Sequence, residues 1–441
     1  MEATITIDHQ TGPRWGYRLG LAGLFMFALF ARMIPSLAYS GVLFMVVGFI
    51  GSLPYTWPTI RRDRLFQLLC GFGVYLALLT GWAIWRFPET APLQLKDAWS
   101  LIQLFLLLAA AWWLGAKESR ITTILLLAML GFIVKSLYVL DITQWLAIVQ
   151  GQIRVGLGMN IVPFGFYCAT GVIGLILMAS RFWGSPHRPV LFGLRMIAWG
   201  LLLGLLIEGV IVSQSRITWL ALVLVLPPLL AWYLYKTLRH FQLRHYKIFI
   251  VGGLTTIGLV TTVLVINLNT FKQRFMDERN TINMMLDGDF SNLPYHKESS
   301  VGVRAHLYRY GFNKWIERPL FGWGPGSSKW LIEKQAQKEL RQWPHLHNTY
   351  LEVLMRLGIV GALFFIGILW LLLRSIRRAH LSGRLPTDLY LFLLGVFGMS
   401  LIWSIGEFRL VHADWHFYWL LFGGIAYTYA LHNQRPQVEE C

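Results

Sequence analysis

Charge is scarce in this chain. Only 14% of its 441 residues are Asp, Glu, Lys or Arg, against roughly a quarter in soluble domains. Acidic charge is scarcest, with 22 acidic residues against 39 basic ones and a net charge of +17. There are three cysteines: Cys70 and Cys168 in apolar runs, and Cys441 at the last position. Neither a disulfide framework nor a cysteine zinc site is suggested. No Gly-x-x-x-x-Gly-Lys-Ser/Thr loop occurs, so ATP is not implied. No internal repeat is visible, so an inverted-repeat transporter has no support.

Hydrocarbon takes the place of charge. The chain is 56% hydrophobic, with a mean hydropathy of +0.52. A soluble globule of this length could not hide so much apolar surface, whereas a polytopic membrane protein need hide little of it. The 20 Trp and 17 Tyr suit two interfacial belts. Excess Lys and Arg on one side of a membrane explains the basic balance better than nucleic acid does. Met1 to Gly16 is polar, and the first apolar run is expected to be an uncleaved anchor.

Twelve apolar runs are expected to span, near 17–31, 34–52, 65–85, 97–116, 121–139, 160–180, 190–212, 217–235, 248–268, 348–373, 387–406 and 415–431. If the N-terminus is cytoplasmic, the inner segments carry nineteen Lys or Arg: two in 14–18, three in 61–64, two in 117–120, three in 181–195, four in 236–247, four in 374–384, and Arg435. The short outer loops carry six: Arg32, Arg86, Lys96, Arg154, Arg216 and Arg409. That asymmetry puts both termini inside and the long 269–347 loop outside. The expected organisation is 1–268 with helices one to nine, 269–347 as an outer loop with two helices, and 348–441 with helices ten to twelve and a short cytoplasmic tail. Inside the loop, Val301 to Glu317 and a stretch capped by Ser327 or Ser328 and running to about Gln342 read as helices, with the turn Phe321-Gly322-Trp323-Gly324-Pro325-Gly326 between them. The polar stretch 277–299 reads as mobile.

Few residues carry chemistry. His347 closes the loop, and an imidazole there suits proton transfer near neutral pH; the bland alternative is an interfacial helix cap. Gly358 and Gly361 read as close helix packing behind it. Arg216, in the turn Ser213-Gln214-Ser215-Arg216, can clamp phosphate or simply snorkel. Arg304 shares a helix face with Tyr308 and Trp315, which favours it over Arg309 for a site role. Arg154 is a weaker candidate of the same type. Lys135 and Glu208 are intramembrane charges, Lys135 with Asp141 as a possible partner. Glu352 and Arg356 have ion-pair spacing on one helix. Asp287-Gly288-Asp289 is a poor metal motif, and His412, Asp414 and His416, with His345 near, fit no strong one.

The pattern His347-Asn348, nine residues, Gly358-x-x-Gly361 resembles the signature of the bacterial O-antigen ligase and O-antigen polymerase superfamily. Arg216-x-x-x-Leu220 looks like the second ligase motif. The segment from Arg304 to Gly326, with Glu317-Arg318-Pro319-Leu320-Phe321-Gly322, is similar to the stretch these proteins carry before the histidine. The resemblance implies an all-α, GT-C-like polytopic membrane protein with about twelve spans and one large periplasmic helical loop, in the bacterial inner membrane. It implies a glycosyltransferase, a lipopolysaccharide ligase, that moves a glycan from undecaprenyl diphosphate to a lipid A–core sugar hydroxyl, with no metal, cofactor or nucleic acid. His347 would be the base, and Arg216, Arg304 and Arg154 would face the diphosphate. Tyr308, Trp315, Trp323 and Asn348 would line the substrate path.

Three rivals remain. An O-antigen polymerase uses the same donor but often has two large outer loops, and Arg216-x-x-x-Leu220 favours ligase. Protein O-glycosyltransferases carry a larger C-terminal region. A lipid-linked glycan flippase would place charge along the spans, where Lys135 and Glu208 are thin support.

Overall fold

The computed structural model describes residues 14–184, 188–239, 267–276, 279–287 and 300–433, with isolated positions 258, 261, 265 and 293 among the rest. Helices joined by turns make up the described residues, without a strand.

Helices α1 (Arg14–Phe30) and α2 (Pro35–Gly51) form an antiparallel pair. A methyl on Gly23 would lie 2.5 Å from the Gly41 carbonyl oxygen, and one on Gly41 would lie 2.7 Å from that of Gly23. Small residues thus bring the two backbones into contact where no hydrophobic force draws helices together. Helix α2 bends by 84° into α3 (Leu53–Ile60). Asp63 then accepts from the Phe66 amide and starts α4 (Arg64–Arg86). Next come α5 (Ala91–Gln103), α6 (Leu107–Leu114), α7 (Glu118–Val139), the short outer α8 (Trp145–Val149), α9 (Ile161–Leu177), α10 (Ala179–Trp183), α11 (Pro189–Val212) and α12 (Arg216–Arg239).

The long loop holds α13 (Leu268–Met276), α14 (Arg279–Leu286), α15 (Ser300–Glu317) and α16 (Ser327–Gln335). The chain closes with α17 (Thr349–Leu381), α18 (Thr387–Trp403) and α19 (Ala413–Asn433).

Among the described residues, six helical stretches are long and apolar enough to cross a membrane, or seven if the bent α2–α3 pair counts as one. The protein is an all-α polytopic membrane protein. Most of the expected run 248–268 lies outside the described residues, and the others are helical. Helices α1, α9 and α18 have 17 residues each, which at 1.5 Å per residue is about 25 Å and at the short end for a span. The continuous stretch Pro88–Leu114 is 61% buried, against 17–33% for the other five, so α5–α6 forms the centre and the others face outward.

A second, smaller core belongs to the loop. Val303 and Leu307 of α15, Trp323, Leu331 and Ile332 of α16, Leu340, Leu346 and Met355 pack together. Helix α16 departs from expectation at both ends. Gly326 precedes it without a side-chain cap, and the helix ends at Gln335, where Ala336 turns extended. Ser328 is fully buried and donates to the Glu352 carboxylate at 2.5 Å instead of capping its own helix.

Helix α17 positions the site. Asn348 caps it, its side chain accepting from the Leu351 amide at 3.0 Å. Ten residues on, Gly358 leaves helical geometry at φ 62°, ψ −169°, a region that only glycine occupies cheaply. The break frees two amides. Ile359 donates to the Pro319 carbonyl at 2.9 Å and Val360 to that of Leu320 at 3.1 Å. In return, the Trp323 and Gly324 amides donate to the Met355 and Arg356 carbonyls. A methyl on Gly358 would lie 2.2 Å from the Leu320 oxygen, and one on Gly322 would lie 2.5 Å from the Arg356 backbone. The glycine-rich turn is thus hydrogen-bonded into a helix kink. The glycines read as close helix packing are, at Gly358, a backbone break.

Candidate active site

His347 immediately precedes the cap of α17 and carries φ 54°, a left-handed backbone that is uncommon outside glycine. Its amide donates to His345 Nδ1 at 3.3 Å, and its carbonyl accepts from the Tyr308 hydroxyl at 3.1 Å. The ring is held edge-on to Trp343 and His345, at centroid distances of 5.3 and 4.2 Å. Both ring nitrogens are left without a hydrogen bond. Nδ1 faces Glu407 Oε1 at 3.5 Å, an ion-pair distance rather than a hydrogen bond.

Glu407 did not stand out in the sequence. It lies in the turn between α18 and α19, 5% exposed. That turn is fastened to the start of α17: Thr349 donates its amide to the Ser404 carbonyl and its hydroxyl to the Glu407 carbonyl. Burial alone would raise the Glu407 carboxyl, but His347, His345 and Arg304 outweigh it and hold the group below the usual range. An ionised carboxylate therefore faces His347. Its only signal in the sequence was a lone acid in an apolar turn, which reads as ordinary.

The cations converge from four segments. Arg154 donates Nε and Nη2 to the Ser213 carbonyl at 3.3 and 3.2 Å, between the outer loop and the end of α11. Burial, then Arg274, Arg216 and Arg304 in turn, push its guanidinium down to about 10. That places Arg216 and Arg304 within electrostatic reach of Arg154 and adds Arg274 of α13, which the sequence had not singled out. Arg216 is the first residue of α12, where the positive end of the helix dipole adds to its charge. Arg304 acts on Tyr308 and Glu407 as well as on Arg154, so it links the arginine group to the histidine. Arg309 is exposed.

The remaining residues vary in role. Tyr308 donates to the His347 and Ile405 carbonyls, and burial raises its hydroxyl. Asn348 uses its side chain as the α17 cap. Trp315 is hydrogen-bonded to the Pro319 carbonyl. Trp323 is buried in the loop core under the Arg318 guanidinium, 4.1 Å from its ring centroid. Glu352 and Arg356 pair as their spacing implied, and Arg356 also reaches Asp97 on α5 at 2.6 Å.

Lys135 lies over the Tyr138 ring, while Asp141 accepts from Thr143 and Gln144. Glu208 accepts from Asn267. Gly288 and Asp289 of the Asp-x-Asp motif lie outside the described residues.

Three groups are spaced to hold a metal. The ligand atoms of His345, His347 and Glu407 lie within 4.8 Å of one another. The Arg304 and Arg356 guanidiniums lie within electrostatic reach of this trio, and positive charge there opposes a dication. Of the outer-turn cluster, Asp414 is engaged by Arg409 and His416 by the Leu410 carbonyl.

Residues 201–366 match the O-Antigen ligase family. The span contains Arg216, Arg304, His347, Gly358 and Gly361, and ends before Glu407. Over 99 residues the chain is 29% identical to a protein of Rickettsia conorii (strain ATCC VR-613 / Malish 7) that carries the provisional name of a polysaccharide ligase. The match covers 20% of this chain and 24% of that protein, so the chain spans about a quarter of the length of the curated relative it matches. Residues 201–366 of this chain, with the histidine–glycine signature inside them, are thus similar to the O-antigen ligase family.

Proposed function

We propose that the protein is a glycosyltransferase of the O-antigen ligase type, taking a glycan from undecaprenyl diphosphate and joining it to a lipid A–core sugar hydroxyl at the periplasmic face of the bacterial inner membrane. The observation that carries this reading is the pairing of two opposite features at one end of the bundle. One is an imidazole whose two ring nitrogens are buried without a hydrogen bond, with a buried carboxylate 3.5 Å from Nδ1. The other is the buried Arg154 guanidinium, held down by burial and by the neighbouring Arg274, Arg216 and Arg304. Guanidiniums gathered in this way match the oxygens of a diphosphate leaving group.

In this reading the acceptor hydroxyl attacks the anomeric carbon as its proton passes to His347 Nε2, the ring nitrogen not facing Glu407. The bond from the anomeric carbon to the diphosphate oxygen breaks, and its electron pair goes to the diphosphate. Arg216 and Arg304 stabilise that growing charge, with Arg154 behind them. Glu407 holds the ring and favours the imidazolium that forms. Direct displacement inverts the anomeric centre. A diphosphate departs without a general acid, so the carboxylate pair of a glycoside hydrolase is not needed.

Reconstitution tests it. Purified protein is mixed with undecaprenyl-diphosphate-linked glycan and glycan-free lipid A–core in the presence of EDTA, and products are read on a gel. Glycan-bearing lipid A–core from the parent, and none from His347→Ala or Arg216→Ala at unchanged thermal stability, is the expected result. Longer glycan on the polyprenyl carrier would make the protein a polymerase. Carrier crossing the bilayer with no new bond would make it a flippase.

A further inference from the structure

The end of the bundle opposite His347 holds a second concentration of arginine. Helix α17 runs on past its kink, and from Gly358 to Arg378 it rises about 30 Å, one hydrocarbon thickness. There Arg374 and Arg378 of α17 meet Arg64 at the start of α4 and Arg384 of the following turn around a cleft of about 290 Å³. Its other walls include Ser375 and Tyr427.

The walls are fixed. Ser375 donates to the Ala426 carbonyl at 2.6 Å. Tyr427 donates to Asp63 Oδ2 at 2.8 Å while its oxygen accepts from the Leu65 amide. Asp63, the carboxylate behind Tyr427, is fully buried and also accepts from the Phe66 amide. Among the described residues, none of the four guanidiniums is in an ion pair. Arg384 bonds the Ser382 hydroxyl, and Arg374 lies 4.7 Å over the Trp370 ring.

A wider groove of about 540 Å³ opens beside the cleft, between Trp370, Leu373, Leu381 and Arg377, and shares Arg374 and Arg378 with it. Trp370, Ile366 and Leu363, in the turns of α17 leading back toward the kink, are all more than half exposed. A tryptophan at the rim and apolar side chains behind it mark the boundary between headgroups and acyl chains.

We propose that this cleft binds the phosphate headgroup of an anionic phospholipid, with its acyl chains along the Trp370 groove. The phosphodiester would sit among the guanidiniums, whose planar forks match phosphate oxygens, and basic pockets between helices at this depth suit such lipids. A zwitterionic lipid would add its own ammonium to four guanidiniums and be disfavoured. Excess basic charge on one membrane face would by itself be spread around the bundle. Here it is drawn from three segments into one concave site with rigid walls.

The test uses the full chain in detergent, with phosphatidylglycerol or phosphatidylcholine added and bound lipid counted by native mass spectrometry. Arg374→Gln/Arg378→Gln is compared with Arg61→Gln/Arg62→Gln, an equal charge change at exposed positions near the same end. Phosphatidylglycerol is expected to outbind phosphatidylcholine by about tenfold in the parent and in the Arg61/Arg62 variant, and to lose that preference in the Arg374/Arg378 variant. Equal preference in both variants, or equal loss in both, would overturn the proposal. So would displacement of the lipid by millimolar glycerol 3-phosphate, which would mean a site for soluble phosphate. If the Arg374/Arg378 variant does not fold, Arg384→Gln in the exposed turn takes its place.

Discussion

Two arginines near the His347 end of this protein face opposite circumstances. Arg356 is 5% exposed and surrounded by compensation: Glu352 and Asp97 carboxylates, the Pro325 carbonyl and the Ser328 hydroxyl, with its guanidinium 4.7 Å over the Phe408 ring. Arg154 bonds a backbone carbonyl, and its charged neighbours are other guanidiniums. The first arrangement cancels charge and joins α5, the glycine-rich turn, α17 and the α18–α19 turn. The second accumulates charge. An interior position tolerates a cation when its partners are built in.

The sharpest way to break this contrast is to remove Arg356. Arg356→Ala leaves Glu352 and Asp97 facing each other in a buried site, and should cost roughly 3–5 kcal/mol, read as lost thermal stability and poor yield in detergent. Stability like the parent's would mean that the group is not structural. Gly358→Ala comes next. It places a methyl against the Leu320 carbonyl at a φ that suits glycine, and should cost about 1–3 kcal/mol. It should also speed amide exchange at Ile359 and Val360, whose bonds to the turn would loosen.

A more graded effect lies in pH. Burial, then the neighbouring His347, hold His345 down to about 3, and burial and Arg409 hold His412 down to about 4. An imidazole whose folded value lies below its unfolded one stabilises the fold fully above about pH 6.5 and loses that contribution as pH falls toward the folded value. Stability should therefore fall by up to about 1.4 kcal/mol per pH unit for each such histidine as pH drops from 6.5 to 4. His345→Gln should flatten that slope, and an unchanged slope would place the proton elsewhere. Smallest is Arg154→Gln, which removes a charge that others already repel. It should leave stability within about 1 kcal/mol of the parent while lowering transfer. A large loss of stability would put Arg154 in the same class as Arg356.

Much of this was legible from particular residues. The apolar runs showed the class because no other solvent accommodates them. Arg304 rather than Arg309 followed from one helical face, and Glu352–Arg356 from a spacing of four. His347 was visible because a base-capable side chain stood at the end of a polar loop. Glu407 and Arg274 were not visible: each is an ordinary residue in its own segment, and its relation to His347 or Arg154 exists only across segments. Trp323 resembled a sugar-facing residue in sequence, but it packs in the loop core.

What the sequence by itself determined is local or additive: hydrocarbon content, helix periodicity, the excess of basic charge, and the order of the motifs. Each is a property of neighbours along the chain, so no fold is needed to read it. Only the tertiary structure decided that Gly358 is a kink with a turn bonded into it, that Glu407 faces His347, and that arginines from separate segments share one field. Those facts depend on distances between residues remote in sequence, and both Coulomb energy and burial are functions of distance in space.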